Sequence, residues 1–157
     1  MKHLSTAVFL IGTALMSSAD VVAADPPRPH QQSAPVRSAA AVPAQPWASD
    51  EPLRTGMRRI QTVVGALQHL EHGHMDAGQA VAASRLIRQH AAFLVDHCRL
   101  DPEPDAALHV IIASLLHAAA TIEADPGNPA AVATMREALD DYARGFHDPG
   151  WDPAAAH

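Results

Sequence analysis

Residues 50–75, DEPLRTGMRRIQTVVGALQHLEHGHM, contain the pattern that decides the fold. Apolar side chains recur there at alternating steps of four and three residues, at Leu53, Met57, Ile60, Val64 and Leu67. This spacing places them on one stripe of an α-helix. Ser49 or Asp50 can cap the start of the helix, proline 52 is tolerated in its first turn, and Gly73 ends it. A helix with one apolar stripe needs partners to cover that stripe.

Three further segments repeat this amphipathic pattern, and they predict helices at about residues 76–98, 103–124 and 129–147. Asn128 and Pro129 are typical of a helix start, and the Asp-Pro-Gly sequence that follows His147 predicts where the fourth helix ends. Strand signals are absent from the sequence. Four helices joined by short turns pack most simply up-down-up-down. The sequence therefore predicts an all-α fold, an antiparallel four-helix bundle over residues 49–151.

The first 24 residues have the features of a secretory signal peptide. A short basic start leads into the apolar run Leu4–Met16, and small residues precede Asp25. A retained membrane anchor is the alternative, but the run is short for a bilayer span. We therefore expect an exported chain, periplasmic or secreted, with no membrane span after cleavage.

Residues 25–48 are predicted to be a disordered linker, because they are rich in proline and alanine and poor in large apolar side chains. Trp47 is the exception, and we expect its indole to dock on the bundle as an N-terminal cover. Residues 152–157 are predicted to form a short tail after the bundle.

The charge and the motifs of the sequence argue against two classes of function. The net charge is −6 and no block of basic residues is present, which argues against a nucleic-acid partner. The sequence also lacks a nucleophile elbow, a phosphate-binding glycine loop, the HExxH motif and paired Glu-x-x-His motifs. A binding protein is therefore favoured over an enzyme.

The antiparallel topology predicts a cluster of metal-ligating side chains at one end of the bundle. The starts of helices one and three and the ends of helices two and four would meet there. Thioether, thiol and imidazole groups of this kind suit copper, zinc or haem iron. The predicted ligands are Met57, His97, Cys98, His109 and His147.

Each of these residues also has a purely structural interpretation. Met57 lies on the apolar stripe and can simply fill the core. His97 and His109 can interact with a helix end or with a carboxylate such as Asp105. Cys98 is the only cysteine, so it is buried, bound to a metal, or available to link two copies into a dimer.

A second, weaker metal cluster is predicted at the opposite end of the bundle. It consists of His69, His72, His74 and Met75 in the sequence QHLEHGHM, with His117 arriving from the third helix. His69 and His72 are three residues apart and share a helix face, so a copper or zinc ion could bridge them.

Two resemblances add to this interpretation. The strings PLRTGM and EALDDYARGFH resemble the start and end of the soluble periplasmic b-type cytochromes, four-helix bundles of the cytochrome c-prime superfamily. This resemblance implies a non-covalent haem b with Met57 and His147 as axial ligands, and the lack of CxxCH excludes a c-type centre. The strings CRLDPEPDAALH and FHDPGW are similar to DnrO-like small exported proteobacterial proteins, a resemblance that implies no chemistry.

Three hypotheses follow from the sequence. The first is an exported bundle that binds a transition metal, with copper preferred, through Met57, Cys98, His109 and His147. The second is a haem electron-transfer protein that uses Met57 and His147. The third is a metal-free periplasmic adaptor that docks a protein partner through a helical face.

Overall fold

The computed structural model describes residues 43–156, which form four α-helices. They are α1 (Glu51–Glu71), α2 (Ala77–His97), α3 (Pro102–Ala124) and α4 (Pro129–Gly145). Each helix packs against its neighbours along the chain, and α1 also packs against α4, which closes the bundle. The predicted all-α four-helix bundle is confirmed. The predicted signal peptide, and the predicted linker as far as residue 42, lie outside the described residues.

The helices start at side chains that satisfy free backbone N–H groups. Asp50, Asp76 and Asn128 are the N-caps of α1, α2 and α4, and each accepts a hydrogen bond from the first turn of its helix. Asp76 and Gln79 also form a capping box, in which each side chain bonds the main chain of the other residue. Pro129 occupies the first position of α4, as the sequence predicts.

The core is formed by the apolar stripes of all four helices. The five residues of the α1 stripe are fully buried, as the sequence spacing predicts. By length and composition alone, helix α3 could cross a membrane. In the bundle, its residues Leu108, Leu115 and Ile122 are buried in the core, so packing between helices already accounts for its apolar character.

Helix α4 ends at Gly145, two residues earlier than the sequence predicts. The residues after it are extended, and Phe146–His147 (β2) pairs in parallel with Trp47–Ala48 (β1). Asp148 is followed by a proline, and a residue in that position disfavours the helical conformation. The prediction that strands are absent missed this pairing, because two-residue strands are too short to show an alternating pattern.

The residues predicted as a tail fold back onto α1. They form a short 3₁₀ helix at Pro153–Ala156. The side chain of Gln61 donates a hydrogen bond to the carbonyl oxygen of Asp152 at 2.5 Å, and the carbonyl of Ala155 lies directly over Gly65. The absence of a side chain at Gly65 permits this close approach.

Candidate functional sites at the two ends of the bundle

The starts of α1 and α3 and the ends of α2 and α4 meet at one end of the bundle, which we call the capped end. The carboxylate of Asp50 links α1 to the connection between α2 and α3. Its Oδ1 accepts a hydrogen bond from the N–H of Leu53 at 2.8 Å, and its Oδ2 accepts one from the N–H of Arg99 at 2.7 Å. One side chain therefore caps α1 and holds the connection between α2 and α3.

The centre of the capped end is the carboxylate of Asp148, whose side chain is only 1% exposed. Its Oδ1 accepts hydrogen bonds from the Arg58 guanidinium at 3.0 Å and from the N–H of Gly150 at 3.0 Å. Its Oδ2 lies 3.2 Å from the hydroxyl of Tyr142, which donates to it. This network joins α1, α4 and the segment after β2.

Tyr142 also belongs to a series of four aromatic rings in contact. The ring centres are 5.4 Å apart for Trp47 and Phe146, 5.4 Å for Phe146 and Tyr142, and 4.7 Å for Tyr142 and Trp151. Trp47 thus docks on the bundle, as its sequence context predicts. Burial, followed by the charge of Asp148 and its hydrogen bond, raises the pKa of Tyr142. The phenol therefore stays protonated and remains a hydrogen-bond donor.

Met57, predicted as a metal or haem ligand, is fully buried within the apolar stripe of α1. A haem held by Met57 and His147 needs an open cleft beside the thioether. Two grooves lie at the capped end, and Met57 lines neither of them. The packing around Met57 therefore leaves no space for a haem beside the thioether among the described residues. Haem ligation by Met57 and His147 stays a prediction.

The two histidines predicted at the ends of α2 and α3 are exposed, and each contacts its own helix. Nδ1 of His97 lies 2.9 Å from the carbonyl oxygen of Phe93, and the two rings stack at 4.4 Å. Nδ1 of His109 lies 2.8 Å from the carbonyl oxygen of Asp105 and 3.4 Å from its carboxylate. These contacts match the structural interpretation of both residues.

Cys98 follows α2 and is half-buried, packed against the core. Burial raises the pKa of its thiol to about 12, with further contributions from the charges of Asp50 and Asp105 that Arg99 partly offsets. The thiol is therefore protonated at neutral pH, and a protonated thiol is a poor nucleophile.

His147 lies in β2 rather than on a helix, and its side chain is exposed. Its carbonyl oxygen accepts a hydrogen bond from the hydroxyl of Ser49, which fixes the short strand. Its side chain lines a groove of about 360 Å³ at the capped end. We call this cavity the arginine groove; it is lined by Ala48, Ser49, Arg54, Arg58, His147, Asp148, Pro149 and Gly150.

The opposite end of the bundle carries the second predicted cluster, which we call the histidine turn (residues 69–75). Gly73 has a φ of +70°, its N–H donates to the carbonyl of Leu70 at 3.1 Å, and the N–H of His74 donates to the carbonyl of His69 at 2.8 Å. These two bonds form a Schellman motif. The motif brings the rings of His72 and His74 to 6.3 Å between centres.

Four members of the predicted cluster belong to the turn, and the fifth lies on α3. His69, His72 and His74 are exposed, whereas Met75 is half-buried and packs against the core. His117 is exposed on α3. Within residues 43–156, no group of three or more His, Cys, Asp or Glu side chains is placed to hold a metal ion together. The turn therefore offers a pair of imidazoles rather than a complete set of ligands.

Sequence analysis missed the network around Asp148. The Asp-Pro-Gly sequence was interpreted only as the end of a helix. The position of Asp148 between Phe146 and Trp151 in the sequence could have indicated this network, because a carboxylate buried among aromatic residues needs hydrogen-bond donors. Its partner Arg58 is 90 residues away and gave no such signal.

No family model, no curated protein and no solved structure matches this chain. The resemblances to DnrO-like proteins and to the b-type cytochromes stay predictions.

Proposed function

We propose that this chain is an exported binding protein for a transition-metal ion, preferentially copper, and that the histidine turn holds the ion. The observation that carries the proposal is the 6.3 Å between the ring centres of His72 and His74. The role that fits an exposed site of this kind is metal handling or metal tolerance.

The spacing of the two rings supports binding of one ion between them. An imidazole nitrogen binds a metal at about 2.0 Å, which puts the ring centre about 3 Å from the ion. Two rings on opposite sides of one ion then have centres about 6 Å apart. The observed distance between the ring centres is 6.3 Å, and a small rotation of either side chain would bring it to this value.

The ligand types favour copper. Imidazole nitrogen suits Cu(II) and zinc, and a thioether selects Cu(I). Met75 directly follows His74, so a thioether lies close in sequence to the imidazole pair. Since Met75 packs against the core, its sulfur would need a change of rotamer to reach the ion. Methionine has the flexibility for this movement.

Comparison of the two ends supports the histidine turn over the capped end. At the capped end, Met57 is fully buried and Cys98 is half-buried against the core. At the histidine turn, both imidazoles are exposed and the Schellman motif fixes the backbone between them. A fixed backbone lowers the entropy lost on binding.

Titration of the purified chain with Cu(I), Cu(II) and Zn(II) by calorimetry tests the proposal. We expect the double variant His72→Ala/His74→Ala to lose at least about tenfold in copper affinity, as loss of two of the few ligands implies. The matched control is His97→Ala/His109→Ala, which also removes two exposed histidines, and we expect it to bind within about twofold of the unchanged chain.

Three other results would contradict the proposal, and each has its own meaning. Loss of affinity in the control pair alone would place the metal at the capped end. No binding of any of the three ions would favour the metal-free adaptor. A Soret band in the purified chain would favour the haem hypothesis.

A further inference from the structure

The arginine groove is independent of the proposed metal site, because it lies at the capped end and shares no residue with the histidine turn. Its volume of about 360 Å³ lies within the range of cavities that hold small molecules. The groove is bounded by the first turns of α1, by β1 and by the Asp-Pro-Gly segment after β2.

The groove carries positive charge on an acidic protein. Arg54 and Arg58 are four residues apart on α1, so their side chains share a helix face. Asp148 is the only carboxylate among the residues that line the groove, which leaves one excess positive charge there before His147 is counted. The net charge of the whole chain is −6, so the groove differs in sign from the molecule around it.

The two guanidinium groups are held in place by bonds that use only part of their donors. Arg58 donates through one nitrogen to the buried carboxylate of Asp148 at 3.0 Å, and its side chain is 40% exposed. Arg54 donates through one nitrogen to the carbonyl oxygen and the hydroxyl of Ser49. Each guanidinium has five N–H donors, so others remain for a ligand.

Gly150 contributes to the position of Arg58. A Cβ at Gly150 would lie 2.8 Å from Nη1 of Arg58, so a side chain there would displace the guanidinium. The N–H of Gly150 also holds Asp148. The groove therefore depends on a glycine that leaves space for the charged group.

We propose that the arginine groove binds a small oxyanion, the carboxylate or phosphate group of a small molecule. A guanidinium matches the paired oxygens of both groups through two parallel N–H donors. The Asp148 network fixes Arg58 in advance, and the hydroxyl of Ser49 and the imidazole of His147 provide additional polar contacts at the edge of the groove.

Titration of the ¹⁵N-labelled full chain followed by NMR tests this inference, with sodium phosphate and sodium succinate as separate probes at constant ionic strength. We expect saturable shifts of the amides of Ser49, His147 and Gly150 at probe concentrations up to about 20 mM, a range that saturates a millimolar site. The probe that saturates at the lower concentration identifies the class of anion. Shifts confined to the histidine turn, or no saturable shift with either probe, would overturn the inference.

Arg54→Gln is the main variant, because Arg54 is not part of the Asp148 network and its loss should leave the fold intact. We expect at least about tenfold weaker binding, the effect of losing a charge-assisted hydrogen bond. Arg144→Gln is the matched control, since Arg144 is an exposed arginine of α4 that pairs with Asp141. Equal binding by the two variants would also overturn the inference, and thermal unfolding of each variant checks that it is folded.

Discussion

Replacement of Asp148 by alanine is expected to destabilise the bundle by about 3 kcal/mol, and the structure shows where this loss comes from. The enclosed hydroxyl of Tyr142 would lose its acceptor, at about 1–3 kcal/mol for an unsatisfied buried group. Arg58 is 40% exposed and would be rehydrated, so loss of its pairing costs about 1 kcal/mol or less. The N–H of Gly150 is exposed, and its lost bond contributes about 0.5 kcal/mol.

A double-mutant cycle separates these contributions. Asp148→Asn keeps an acceptor oxygen and loses the charge, so we expect a smaller loss of about 1–2 kcal/mol. Tyr142→Phe removes the hydroxyl itself, at about 1 kcal/mol. The double variant Asp148→Ala/Tyr142→Phe should be more stable than the sum of the single effects predicts, by about 1–2 kcal/mol, because it leaves no unsatisfied hydroxyl.

Urea unfolding followed by far-UV circular dichroism measures these differences in the free energy of unfolding. In thermal unfolding, Asp148→Ala should lower Tm by roughly 10–15 °C in a domain of this size. The reasoning would be refuted by an Asp148→Ala chain within about 0.5 kcal/mol of the unchanged protein, which is the usual effect of a surface substitution. Strict additivity in the cycle would show that the hydroxyl and the carboxylate do not interact.

Four further predictions follow from the surroundings of single residues. Gly56→Ala should destabilise the protein by about 1–3 kcal/mol in urea unfolding, because the new Cβ would lie only 2.8 Å from Cγ of Leu94 and would overlap that side chain. On an exposed helix face the same change usually stabilises a protein. A stabilised variant would therefore contradict the packing of Gly56 against Leu94. Trp47→Ala should cost about 2 kcal/mol through loss of the ring contact with Phe146, and an unchanged Tm would show that β1 does not hold the capped end. Alkylation of Cys98 by iodoacetamide at pH 8 should be at least about tenfold slower than that of a free cysteine, because its pKa is raised to about 12. Between pH 9 and pH 12 the folded chain keeps this thiol proton and the unfolded chain releases it. The free energy of unfolding should therefore fall as the pH rises from about 9 towards 12, and Cys98→Ala should reduce that fall. An alkylation rate that levels off near pH 9 would contradict the raised pKa.

The helices could be predicted because their signals are local. The apolar spacing in α1, the capping residues Asp50 and Asn128 and the proline after Asn128 all act within one or two turns of the residues they affect. The antiparallel topology then follows from short connections, and it correctly places the start of α1 close to the end of α2, where Asp50 joins Arg99.

The candidate sites were only partly predictable, because a residue type does not reveal its environment. Met57 has a ligand atom and also lies on the apolar stripe, and packing buries it completely. Cys98 has a potentially reactive sulfur, but the surrounding protein and two carboxylates keep it protonated. The histidine turn was easier to predict, because Gly73 and the adjacent histidines are close in sequence and form one Schellman motif.

The sequence by itself determined the class of fold, the limits of most helices and the residues that cap α1 and α4. All of these depend on periodicity and on contacts within a few residues. Only the tertiary structure decided that Asp148 pairs with Arg58 and Tyr142, that β1 pairs with β2, and that two arginines line one groove together with Asp148. Those features join segments up to about a hundred residues apart, and the free energy of a buried charge depends on which partners the folded chain brings to it.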